Sequence, residues 1–371
     1  MSNSLQILNS LTYTGTSNFS AAKIISSKNG SDYLNHAISS WNTISPPLTS
    51  LGRFTWSQVE FVNDKFFTTV TGKPSAAWSY DGKNWNSITV PMTALKDGIA
   101  YGGGMYTGLS NFQGATTYMT PESYYSTDGI NWSINNSYNT PIVQLNWATP
   151  VYGVVNGTGI FVSVGGSNTS GYGAYSYDGI NWTFNTSFAG GGGNSIAYGI
   201  VNGQGIFVTV PPHSATYFMY STDGVTWKQG NSFTSLGNSW SSVTYGYNDV
   251  GTPMFVAVSN STTGYPANVL YSYDGKNWAY GSIPDYYWIN VIYTPNGLFI
   301  ATATTSTAYG IYAYSYDGIT FNTAPYITAS YILPKIAYGN GVVVAAPYYG
   351  AANQFAYATL PVITSTGILT H

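Results

Sequence analysis

Only 6% of these 371 residues are charged, ten Lys and Arg against thirteen Asp and Glu, where a soluble domain ordinarily has roughly 25%. Ten scattered cations and a net charge of -3 exclude binding to nucleic acid by phosphate neutralisation and give almost no field for steering a partner. With no cysteine, disulfides, thiol chemistry and thiolate-held zinc are excluded too, while an apolar fraction of 44% is enough for a large core.

The first stretch, "MSNSLQILNSLTYTG", has no basic leader and no long apolar run, so neither a conventional signal peptide nor a membrane-spanning helix is expected. Tyr13, Phe19 and Trp41 space this region as a degenerate repeat over 1–45. Six clearer repeats follow over 46–325. Their first halves read as two strands joined by an Asn/Gly turn: "VEFVNDKFFTTV" (59–70), "VYGVVNGTGIFVSV" (151–164), "IAYGIVNGQGIFVTV" (196–210) and "VIYTPNGLFIATA" (291–303). Their second halves enter and leave an Asp-Gly turn. A second degenerate repeat over 326–371 has two opening strands and a third, but "YATLPVIT" stands where the Asp-Gly turn belongs. Gly and Pro interrupt every window that could be helical.

The Asp-Gly turns form one series: "AWSYDGKNW", "YYSTDGINW", "AYSYDGINW", "MYSTDGVTW", "LYSYDGKNW" and "AYSYDGITF". Their closing aromatics, Trp85, Trp132, Trp182, Trp227, Trp278 and Phe321, fall at intervals of 47, 50, 45, 51 and 43 residues. Four strands per period of that length is the composition of a propeller blade. The expected fold is therefore all-β, a single β-propeller over 1–371 with four-stranded antiparallel blades. Eight blades is the preferred count. Seven is the alternative, with the N-terminal segment as an arm that donates a closing strand.

The series resembles the Asp box, or bacterial neuraminidase repeat, of sialidase-like β-propellers, with Asp and Gly adjacent and the box one residue shorter. The resemblance implies that Asp81, Asp128, Asp178, Asp223, Asp274 and Asp317 are structural turn residues rather than catalytic ones. It also implies a sialidase-like fold without the sialidase catalytic residues, because the arginine triad of those enzymes cannot be built from Arg53 alone.

The remaining acids are Asp32, Glu60, Asp64, Asp97, Glu122, Asp249 and Asp285. Asp64 and Asp249 fall in strand-joining turns and Glu60 on an innermost strand. Asp97 and Glu122, in one repeat, are the pair able to approach each other as acid and base. His36, His213 and His371 fit no metal-ligand spacing, so no metal site and no cofactor is expected. Trp56, Trp147, Trp240 and Trp288 each precede the aromatic that ends an innermost strand by five residues and are read chiefly as blade packing. Tyr118, Tyr172, Tyr217, Tyr265, Tyr309 and Tyr349 recur between second and third strands, on the face opposite the boxes, and are the candidate ligand-binding residues.

These readings point to a non-enzymatic structural, decoration or receptor-binding (adhesin) component of a virus or phage particle or other extracellular assembly. Its expected partners are other protein subunits, surface glycans or both, without nucleic acid or membrane insertion. A lectin using the Tyr-rich loops is the alternative, and a glycosidase is the third reading.

Overall fold

The computed structural model describes residues 41–44, 56–70, 75–90, 98–110, 122–138, 147–166, 171–188, 193–211, 216–234, 239–260, 268–304, 310–323, 335–346, 355–360, 362–363 and 369–370. These residues form seven four-stranded antiparallel sheets and a small two-stranded hairpin of Val362–Ile363 and Leu369–Thr370. Blade 1 shows the common plan: Trp56–Val62, Lys65–Val70, Ser75–Ser79 and Asn86–Thr89 pair in chain order, innermost strand first. Blades 2 to 6 repeat it, with innermost strands Ala100–Gly102, Val151–Val155, Ser195–Val201, Trp240–Tyr247 and Tyr287–Thr294. The turn after each innermost strand demands left-handed backbone. Asn63 and Asp64, Asn156 and Gly157, and Asn202 and Gly203 all have positive φ, the requirement of tight hairpins that match strand twist.

Blade 7 differs at its edge. Lys335–Gly339, Val342–Ala346 and Phe355–Thr359 supply three strands, and the fourth, Asn42–Ile44, comes from the opposite end of the sequence. Thr43 pairs with Ala356, antiparallel. No Asp-Gly turn follows Thr359, so the chain does not double back there, and Leu360 instead buries itself in the core. The count is thus seven, the alternative reading rather than the preferred eight. Of the degenerate repeat 1–45, residues 1–40 lie outside the described residues.

Burial explains why the ring closes. The core divides into seven apolar clusters, one between each pair of neighbouring blades, including Phe66 and Val59 of blade 1 against Val344 and Phe355 of blade 7. Second strands are buried on both faces, as in Lys65–Val70 and Val342–Ala346, which accounts for their nearly continuous apolar sequence. Trp41 stacks 5.3 Å from the Tyr312 ring of blade 6, in the cleft between blades 6 and 7. It leads into an outermost strand as each box Trp does.

Candidate functional site

Two features recur around the ring with groups capable of chemistry: the box turns on one rim and the axial channel. In the first box the Ser79 hydroxyl donates to Asp81 Oδ1 (3.0 Å) and accepts from Gly82 N (2.9 Å). Asp81 Oδ1 also accepts from Lys83 N and Asn84 N, and Oδ2 from Asn84 Nδ2 (2.7 Å). The same Ser, Asp and backbone contacts recur at Asp128, Asp178, Asp223, Asp274 and Asp317. Trp85 and Trp132 donate their indole N–H to the carbonyls of Gly82 and Gly129, so the aromatic closes over its turn. Each box glycine lies against the preceding blade: Gly82 faces Val344, Gly224 faces Val162 and Gly318 faces Met254.

Burial pushes the Asp81 carboxyl up, but the amides of Asn84 and Lys83 with the Asn84 and Ser79 side chains hold it down at about 2. The amides of Asn131 and Ile130 hold Asp128 well below the usual carboxylate range, and Asp178, Asp223 and Asp274 are lowered against burial by the same kinds of bond. A carboxyl whose folded value lies below its unfolded one stabilises the fold above the unfolded value and ceases to do so as pH falls through the folded one. The melting temperature is therefore expected to drop progressively from about pH 4 to about pH 2. The Asp81→Asn variant should start lower at pH 7 and show a shallower drop, measured by thermal scans across that range. Asp128 and Asp178 are exposed and Asp81, Asp223 and Asp274 half-buried at the surface, so solvent screening keeps each single contribution small.

Along the axis every innermost strand is a sheet edge, and its free backbone groups need partners. Two rings of side chains supply them. At the box end, the aromatics of five blades lie over a glycine of the blade before: Tyr152 over Gly102, Tyr198 over Gly153, Tyr245 over Gly199, Tyr293 over Gly246 and Phe61 over Gly339. Tyr198 and Tyr245 donate their hydroxyls to Val154 O and Ile200 O, both at 2.5 Å. Burial raises the Tyr245 and Tyr293 hydroxyls, which keeps them protonated donors.

At the other end a polar side chain three residues before that aromatic accepts from the next blade. Ser195 Oγ takes the N–H of Val243 and Ser242 Oγ that of Val291, both at 3.2 Å. Register shifts after Trp240 and Trp288, β-bulges in the innermost strands, precede these polar positions. Blade 2 has Gly98 at this place, and the ring is bridged across it. Glu60 accepts from Ile99 N and from Thr149 Oγ1 (2.8 Å), and Thr149 Oγ1 accepts from Gly98 N (3.1 Å) and Gln58 Nε2 (3.0 Å). Glu60 thereby ties three blades together.

The sequence matches no protein-family model, and no curated protein matches it. Among solved structures it is similar to virginiamycin B lyase from Staphylococcus aureus, with a TM-score of 0.64 at 9% identity over 86% of this chain and 99% of the lyase. A catalytically inactive variant of that lyase with Quinupristin aligns with a TM-score of 0.56 at 10% identity, over 86% of this chain and 100% of that one. Trypanosoma rangeli sialidase aligns with a TM-score of 0.41 at 12% identity, covering 81% of this chain and 66% of the sialidase. The likeness to the lyase is one of fold.

Within the propeller the other expected site residues are scattered. Tyr172 and Tyr217 are half-buried and pack into the clefts between blades 2 and 3 and between blades 3 and 4. Tyr118, Tyr265, Tyr309 and Tyr349 lie outside the described residues, as do Asp32, Asp97, Arg53 and all three histidines. Burial raises the Glu122 carboxyl, and its backbone N–H donates to Ser110 Oγ. Asp285 accepts from Asn268 Nδ2 at 3.2 Å, while Asp64 and Asp249 sit in strand-joining turns. Trp56, Trp147, Trp240 and Trp288 are all fully buried, leaving no face for a ligand at the axis. Among the described residues, no three His, Cys, Asp or Glu gather to hold a metal, and no helix is long and apolar enough to cross a membrane. The tyrosine ring and the Glu60 bridge were not foreseen. The recurrent Tyr-Gly pair ending innermost strands was the available signal.

Proposed function

We propose that this chain is a non-enzymatic β-propeller serving as a structural, decoration or receptor-binding component of a virus or phage particle or another extracellular assembly, with other subunits, surface glycans or both as partners. The supporting observation is the engagement of the repeated carboxylates: in each box, Asp Oδ1 accepts from two amides and a Ser hydroxyl, which commits that oxygen to bracing its own turn. Low charge and one rim of near-identical turns fit a surface made for contact rather than turnover. Two assays test it. Immunogold labelling of released particles supports the reading if gold decorates them, and label absent from particles and cell exterior overturns it. Chromatography of a glycan panel after incubation with the protein should show no new product. Hydrolysis abolished by Glu122→Gln would establish the glycosidase instead.

The lectin reading is supported by a different set of tyrosines from the loop series. They stand on the box rim, exposed.

A further inference from the structure

In blades 1, 3, 5 and 6 the residue between the box Ser and Asp is a tyrosine, and its ring stands nearly perpendicular to an aromatic two residues earlier. Trp78 and Tyr80 have ring centres 4.9 Å apart at 85°, Tyr175 and Tyr177 5.8 Å at 74°, and Tyr271 and Tyr273 5.6 Å at 74°. The outer rings are 55%, 60% and 41% exposed in that order. Blade 6 has the same pair with its outer ring half-buried, and blades 2 and 4 place threonine there.

We propose that these ring pairs are repeated sites for neutral carbohydrate on the box rim, an inference that rests on the lectin reading and moves it to the face opposite the loop tyrosines. A single exposed aromatic on a surface needs no explanation. Here the same position is aromatic in four of six boxes, and each ring is backed by another that restricts it before any ligand arrives, which lowers the entropy lost on stacking. The adjoining turn supplies hydrogen-bonding groups at the surface, as in the exposed Asn84 amide on Asp81 Oδ2. In the Tyr177 box, which has no lysine, the lowered Asp178 carboxyl stays ionised at neutral pH and repels anionic sugars, which selects uncharged ones, whereas at Tyr80 the Lys65 ammonium lies 5.4 Å from the ring centre. The intervening threonines break the rim into separate small sites rather than the continuous apolar patch that a protein partner requires. Several weak sites on one rigid ring favour a polymer that spans them over a free monosaccharide.

Native electrophoresis through gels containing hydroxyethylcellulose, galactomannan or dextran tests this. Wild-type protein should be retarded in at least one gel. The Tyr80→Ala, Tyr177→Ala, Tyr273→Ala triple variant should lose about tenfold in affinity with an unchanged melting temperature, and the matching Phe triple should keep it. Retardation kept by the Ala triple but lost by Tyr118→Ala with Tyr309→Ala overturns the rim site and leaves the lectin reading standing. Absence of retardation in every gel overturns both. A change of oligomeric state in the Ala triple without any gel effect overturns the rim site in favour of a protein contact.

Discussion

Replacing Trp41 by Ala is expected to open the ring at its weakest seam. The closing strand Asn42–Ile44 makes only three ladder pairs with Phe355–Thr359 and, unlike the other outermost strands, is not joined to its partner strand by a box turn. Trp41 supplies the missing grip by packing against Tyr312 and the cluster shared by Leu298, Ile336 and Leu360. Truncating a buried Trp costs roughly 3 to 5 kcal/mol, and because Trp41 is only half-buried the lower end, about 3 kcal/mol, is expected here. Losing the arm also uncovers the edge of Phe355–Thr359, a template for pairing with another chain. Trp41→Ala should therefore melt several degrees lower, exchange its 355–359 amides faster and self-associate on size exclusion. Trp41→Phe should preserve closure, since blade 6 already uses Phe321 in the equivalent place. A Trp41→Ala protein with wild-type melting and unchanged protection at 355–359 would remove Trp41 from the closure.

What could be read in advance follows how local each interaction is. The box is decided within seven residues: Ser79, Asp81, Gly82 and Trp85 all bond or pack within one turn, so the string announces its own hairpin. The period of the boxes then implies blades. Blade number was harder, because it depends on Thr43 meeting Ala356, a pairing between opposite ends of the chain with no local marker. Trp41 did stand at box spacing before Trp85, and that signal was real. It marked the leading aromatic of an outermost strand belonging to the last blade rather than to a blade of its own.

The axial rings show the same limit. A Tyr or Phe at the end of an innermost strand is visible in each repeat, but its reason, as in the bare Gly199 beneath Tyr245, belongs to another repeat. Two of the loop tyrosines, Tyr172 and Tyr217, pack into clefts for a related reason. Tyr172 lies on a strand paired with Gly165, so its ring is drawn into the cleft between blades rather than displayed above it. Position between second and third strands does not distinguish a displayed ring from a packed one.

Substituting the box glycine should damage the next cleft round the ring, between blades 7 and 1. Gly82 has φ +70, and a methyl group there would come within 2.5 Å of Val344 Cγ2 in blade 7 and 3.2 Å of Phe66 Cε2. Left-handed backbone costs an L-residue roughly 1 to 2 kcal/mol, and forcing a methyl into a packed cleft typically adds about 1 to 3 kcal/mol. Gly157 separates the two effects. Its φ is +78, and nothing lies within 4 Å of where a methyl would stand. Gly157→Ala should therefore show the backbone cost alone, and Gly82→Ala that cost plus the clash, a difference of about 1 to 3 kcal/mol by denaturant titration. Adding Val344→Ala to Gly82→Ala should recover part of the difference, because it removes the atom struck, whereas Val344→Ala alone destabilises by leaving a cavity. Equal losses at Gly82 and Gly157, or no coupling between Gly82 and Val344, would mean that the box does not press on the neighbouring blade. The turns would then shape only their own hairpins, and the ring would be held by the apolar clefts without them.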